Sequence, residues 1–375
     1  VEEVFRPHYL SFALLVFLIA AHSLEACSVP QPPDDPQPSP PITDLIAGSH
    51  YRRAAAVLDA TPLAPEATPQ DIAQRQYLQS RVALGLGQYE QSLQLAEKAA
   101  ASDPQNAAYH VQVAAAAGRI AQHASLFKQL TFAKRAKKEL DDALALEPKR
   151  PDAIYGMMMF HEYAPPLIGG DKATAQKLAE DLTALDPARG YLAQATLAHE
   201  RKDAASELAL IQKAVAAAPD SYNAHMAYAA LLKNDPYAAE EQTCLALLLD
   251  PTRAEAWQSL AELSVASACW PELTGLIQTA QRFNPDDDSP AYSAAVAMIA
   301  AGKNLNTAQT LLTRYLEKTP EGDAPSPGRA HYQLALISQK RGQTQDALFH
   351  LHAALDLDPT MEDARQDLKR LERAN

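Results

Sequence analysis

Residues 330–359 read AHYQLALISQKRGQTQDALFHLHAALDLDP, two helix-length stretches that turn at Gly342 and stop at Pro359. Small and apolar residues recur at three- and four-residue intervals in both, so each stretch carries one oily edge. Pairing the two edges across a glycine turn still leaves a seam uncovered. Seven earlier prolines close comparable Ala/Leu-rich runs: Pro104, Pro148, Pro187, Pro219, Pro251, Pro285 and Pro320, with spacings of 32 to 44 residues. A period of about 34 residues describes one helical hairpin that completes its core by stacking on the next. The expected fold class is all-α: a right-handed α-α superhelix of about eight helix-turn-helix repeats with a C-terminal capping helix.

Counting back from the closing prolines shows why the units stack. Twelve residues before them sit Ser92, Ala136, Ala175, Glu207, Ala239, Leu273, Ala308 and Ala347; five before sit Ala99, Ala143, Leu182, Ala214, Ala246, Ala280, Tyr315 and Ala354. Positions seven apart share a helix face, and small side chains there let two helices approach closely. Larger apolar residues fall between them, such as Leu140, Ile211, Ile277, Leu312 and Leu351, while Trp257, Leu260, Ala261 and Ser264 mark the seam of an earlier helix. With EAWQSLAELSV (255–265) and LIQTAQRFNP (276–285), these positions resemble the tetratricopeptide repeat (TPR) family from about Asp71 to Pro359.

The bulk properties narrow the function classes. A net charge of −13 lacks the basic footprint that nucleic acid calls for, and it disfavours anionic lipid at the folded surface. The three cysteines, Cys27, Cys244 and Cys269, form no CxxC pair. Cys244 falls mid-way along a second helix and Cys269 at the next inter-helix turn, levels that predict a separation above the ~7 Å Cα limit and two free thiols.

The N-terminus reads as an export signal on a stiff tether. Tyr9–Ala21 is an uncharged, mostly apolar run, short for a membrane span but suited to a signal h-region. Ala21-His22-Ser23 offers an ordinary cleavage site. Leu24-Glu25-Ala26-Cys27 resembles a bacterial lipobox that would lipidate Cys27, although Glu25 departs from the pattern. Seven prolines between Pro30 and Pro41 favour polyproline II. The expected boundaries are 1–26 signal peptide, 27–41 tether, 42–70 N-terminal helical cap, 71–359 repeat array and 360–375 capping helix. The expected location is periplasmic or membrane-anchored, through lipid or signal.

Two units are overlong, with insertions at about 118–133 and 163–171. In the first, Arg135, Lys137 and Lys138 precede Glu139, Asp141 and Asp142 at i,i+4 spacing, the pattern of a solvated helix face. In the second, HEYAPPLIGGDKATAQ contains an AP-x-x-x-GG-x-K run that resembles one in a group of bacterial TPR proteins; the likeness carries no activity. Gly169-Gly170-Asp171-Lys172 lacks the strand and spacing of a phosphate-binding loop. Asp171 is expected to cap a helix, behind a buried Pro-Leu-Ile plug. Met157-Met158-Met159 is expected to contribute to the core.

No catalytic or metal motif emerges among eleven histidines. His350 and His352 point to different helix faces, and His161-Glu162 lacks a second histidine four residues on. The TPR resemblance implies an inner wall built from first helices: Tyr77, Arg81, Leu192, Thr196, His199, Tyr228, Leu231, Gln258, Glu262, Ser293, Ala297, Tyr332 and Leu336. That set lacks the lysine/asparagine clamp of TPR co-chaperones and suits an extended peptide. The leading expectation is a non-enzymatic, monomeric protein-binding scaffold without cofactor. Its rivals are a hydrolase or transferase built around His161, Glu162, Asp171 and Lys172, and a self-assembling structural module.

Overall fold

The computed structural model describes residues 29–30, 40–232, 234–267, 270–321 and 324–374. The expected signal peptide, Cys27 and nearly all of the tether lie outside them, as does Cys269. A short hairpin, α1 (Ile42–Ala47) and α2 (Tyr51–Ala60), precedes eight helix pairs. These are α3 (Pro69–Gly85) with α4 (Tyr89–Ser102), α5 (Ala107–His123) with α6 (Leu126–Leu146), α7 (Pro151–Tyr163) with α8 (Lys172–Leu185), and α9 (Pro187–Glu200) with α10 (Ala204–Ala217). Next come α11 (Tyr222–Leu231) with α12 (Pro236–Leu249), α13 (Ala254–Ala266) with α14 (Trp270–Phe283), α15 (Ser289–Ala301) with α16 (Leu305–Tyr315), and α17 (Pro327–Lys340) with α18 (Thr344–Leu357). A final helix, α19 (Glu362–Ala374), covers the last pair. The all-α repeat superhelix read from the sequence is the fold of the chain.

Local chemistry sets the helix limits. Thr68 and Asp71 form a reciprocal capping box at α3, and Asp186, Asp203, Ser221, Asp235 and Ser326 cap later helices through their side chains. Prolines occupy the first turns of α3, α7, α9, α12, α15 and α17, where a missing N–H costs nothing.

The two small-residue registers are buried throughout, except Glu207, which is half-exposed and pairs with His199 at 3.0 Å. Leu140, Ile211, Ile277, Leu312 and Leu351 are buried between them. First helices of successive repeats touch, as α13 does α15, so the core runs along the array. Met157 and Met158 belong to two adjacent clusters and join the second and third repeats.

The irregular units use their extra length differently. In the second it extends the helices, giving α6 21 residues against 14 in most second helices. Its charges neutralise one another: Arg135–Glu139 at 3.0 Å, Lys137–Asp141 at 2.8 Å and Lys138–Asp142 at 2.6 Å. In the third, Asp171 caps α8 by accepting from the amides of Ala173 and Thr174. Gly170 is required there, because a Cβ would lie 1.7 Å from the Ala164 carbonyl oxygen.

Two expectations need correction. The Pro-Leu-Ile segment is not a buried plug: Leu167 is 89% exposed, and Ile168 alone packs on the second-repeat core. Pro166–Ile168 forms one 3₁₀ turn, whose three side chains point in three directions, so one faces inward. Cys244 is not a free thiol but disulfide-bonded, to a partner outside the described residues. Among the described residues, no helix is long and apolar enough to cross a membrane.

Leu351 is fully buried where α17, α18 and α19 meet. Leu351→Ala is expected to destabilise the C-terminal repeat by about 2–5 kcal/mol. Denaturant unfolding followed by hydrogen exchange in α17–α19 measures it, and a change below about 1 kcal/mol contradicts this packing.

Candidate functional site

The hairpin α1/α2 is anchored at both ends of the array. On the near side Leu45, Ile46, Ala54 and Leu58 share a core with Val82 of α3. The Tyr51 ring occupies the space over Gly85, where a Cβ would approach it to 2.2 Å. On the far side the His50 ring is 3% exposed, with Nε2 2.7 Å from the Thr252 carbonyl and Nδ1 3.1 Å from Asp286 Oδ2. Both neighbours are acceptors, so a protonated ring, with both nitrogens donating, satisfies both contacts. Arg53 lies 3.6 Å from Asp286; the Arg52 amide donates to Glu321 Oε2 at 2.8 Å and its guanidinium to the Pro320 carbonyl at 3.2 Å. Residues 50–53 therefore tie the first repeat to the turns that follow the fifth, sixth and seventh.

Protonation is coupled to this bridge. Burial works against charge on His50, but the hydrogen bond and charge of Asp286, aided by the Thr252 carbonyl, outweigh it and raise the pKa. Burial also opposes ionisation of Asp286, yet His50 and Arg53 bring its pKa down. At Glu321 burial dominates, with Asp286 adding to it, and the Arg52 contacts offset only part, leaving the carboxyl at about 7.

The bridge encloses a cleft of about 670 Å³. Arg81, Tyr89, Gln112 and Arg119 come from the first two repeats, Glu255, Gln258, Asp287 and Glu321 from the later ones, and Ile46, Ser49 and Tyr51 from the hairpin. Gly87, Ala115 and Gly118 keep the first wall low and leave room for a ligand. Aromatic rings support its cations: Arg81 lies 5.8 Å from the Tyr77 ring centroid and Arg119 5.5 Å from that of Tyr89. The cleft thus sets a cationic, aromatic wall against an acidic one.

Of the groove residues expected from the sequence, Arg81 and Gln258 line this cleft, and Tyr77 stands behind Arg81 against Tyr109. Leu192, Thr196 and Leu231 are half-buried along the array. Tyr228 accepts from Gln212 at 3.1 Å, His199 is exposed beside Glu207, and Glu262 is exposed. Tyr332 and Leu336 serve packing, the first against the capping helix and the second against the main core. Reading one helix at a time misses Tyr51, Tyr89, Arg119, Glu255, Asp287 and Glu321, because the cleft is made by contacts more than 200 residues apart.

The third-repeat group pairs its charges locally. Lys172 reaches Glu162 at 3.1 Å, Asp171 is spent on its helix cap, and burial together with the Lys137 charge lowers the pKa of His161. His110, Glu139 and Asp142 cluster within 4.8 Å, but Arg135 and Lys138 already neutralise the two carboxylates. His331 and His350 meet across the last hairpin, where burial lowers both pKa values.

The succession of paired helices is matched in solved structures. Human IFIT1, as a dimer with PPP-AAAA, superposes with a TM-score of 0.53 at 15% identity over 89% of this chain and 81% of that one. The chain has the tetratricopeptide-repeat fold. A thermophilic TPR protein of Thermus thermophilus, TTC0263, aligns at TM-score 0.44 and 21% identity, covering 51% of this chain and 95% of its own. The family described as regulator of microtubule dynamics protein 1-3 matches residues 87–164, which span the second helix of the first repeat, the whole second repeat and the first helix of the third. No curated protein matches the sequence.

Docking of the hairpin is expected to weaken as pH rises. His50 has a raised pKa, so its contribution is complete below about 6.5 and is lost as pH climbs through the folded value. Glu321, raised from 4.5 to about 7, adds a cost that builds up between those two values and is complete above about 7. Amide exchange in residues 42–60 should be faster at pH 8 than at pH 6, after correction for intrinsic rates. Glu321→Gln should flatten part of that dependence; equal protection at both pH values contradicts the bridge chemistry.

Proposed function

We propose that this TPR protein is a scaffold that grips a short extended peptide of a partner protein in the closed cleft. The observation that carries the reading is the opposition of Arg81 and Arg119 to Glu255 and Asp287 across about 670 Å³. An extended peptide with an acidic group toward the first wall and a basic group toward the second satisfies both. A phosphate backbone meets repulsion from the acidic side, so the PPP-AAAA of the IFIT1 structure does not transfer to this cleft. Its net charge of −13 favours the same choice.

Export is the second half of the proposal. It is supported by the apolar run Tyr9–Ala21 and by the disulfide at Cys244, a bond that persists in oxidising compartments. Lipidation at Cys27 consumes that thiol and leaves Cys269 as the disulfide partner of Cys244. Non-reducing peptide mapping of protein isolated from membranes should then find lipid on Cys27 and a Cys244–Cys269 link. A Cys27–Cys244 link contradicts lipidation.

Binding is tested with a peptide selected from a displayed random library and read by fluorescence anisotropy. Arg81→Ala and Glu255→Ala are each expected to weaken binding about tenfold, the worth of one charged hydrogen bond of ~1.5 kcal/mol. Failure to select any peptide, or affinity unchanged in both variants, overturns the cleft as the binding site.

A further inference from the structure

We propose that His331 and His350 form a chelating site for a divalent first-row transition ion such as Zn²⁺, Ni²⁺ or Cu²⁺. His331 lies on α17 and His350 on α18, the two helices of the last repeat. Their Nδ1 atoms stand 3.1 Å apart, with ring centroids 5.3 Å apart and planes tilted by 34°. Two metal–nitrogen bonds of about 2.05 Å span that distance when they meet at about 98°, between square-planar and tetrahedral angles. The spacing already equals the bite of a chelate, and no helix has to move.

The surroundings suit an ion. Both rings are half-buried, which fixes them while leaving a path from solvent. Phe349 packs edge-on to His350, with centroids 5.1 Å apart and planes at 70°, and restrains that ring. Among the described residues no third His, Cys, Asp or Glu places a ligand atom within 4.8 Å of both rings, so water completes the coordination. Binding needs no proton to leave: the ring that holds its proton on Nδ1 shifts to the Nε2–H tautomer, and a rotation of each ring turns the two Nδ1 lone pairs from one another toward the ion.

The contrast with His110, Glu139 and Asp142 explains why the smaller cluster is favoured. There Arg135 lies 3.0 Å from Glu139, Lys138 lies 2.6 Å from Asp142, and the other His110 nitrogen faces the Pro104 carbonyl. An ion at that place must displace two resident cations. Between His331 and His350 it displaces one nitrogen–nitrogen hydrogen bond.

The test uses the full chain without an affinity tag. Zn²⁺ titration by calorimetry should show a site that His331→Gln and His350→Gln each weaken tenfold or more, and that His110→Gln leaves unchanged. Cu²⁺ electron paramagnetic resonance on the unaltered protein should show coupling to two imidazole nitrogens, a readout independent of whether a variant folds. Zn²⁺ affinity unchanged in both variants, loss in His110→Gln alone, or a Cu²⁺ spectrum without imidazole coupling overturns the assignment.

Discussion

A pair of Ala-rich helices cannot bury its own edges, and every larger feature of this protein follows from that deficit. Small residues at two registers of each second helix bring the partners close but leave a seam that the next pair must cover. Each repeat therefore contacts its sequence neighbours, and the array grows in one dimension until a polar helix, α19, covers the last seam. The early repeats hold separate small clusters, whereas from Tyr222 to Ile337 the core is one continuous cluster.

A superhelix of this kind is open unless something crosses it. Here the crossing piece is a hairpin of two short helices whose apolar side joins the first repeat and whose polar turn, residues 50–53, meets three later ones. The bridge is electrostatic where the array is apolar. Its strength consequently varies with pH. A cleft whose walls come from opposite ends of the chain is a consequence of the crossing, and so is its opposed charge.

How far the sequence reveals this depends on the distance over which each feature is encoded. Ala143, Ala214 and Ala354 announce the repeat because the same local register recurs eight times. The N-cap at Asp171 is equally local. Arg81 and Gln258 are visible as groove residues, but nothing near either one signals that they share a cleft, since a bridge spanning 236 residues from His50 to Asp286 brings the ends together. Sequence proximity pairs His350 with His352 on its own helix, whereas its partner, His331, lies 19 residues back on the facing one. Leu167 reads as buried because it is apolar; the single 3₁₀ turn that carries it leaves it outside.

Closure of the array by residues 50–53 is the claim on which the cleft depends. Genetically encoded spin labels at Gln94 on α4 and Gln278 on α14, both exposed, report the separation of the two walls by double electron–electron resonance. One narrow distance distribution that broadens in a His50→Ala, Arg52→Ala double variant is the predicted result. An equally narrow distribution in that variant, or a broad one in the unaltered protein, contradicts the account.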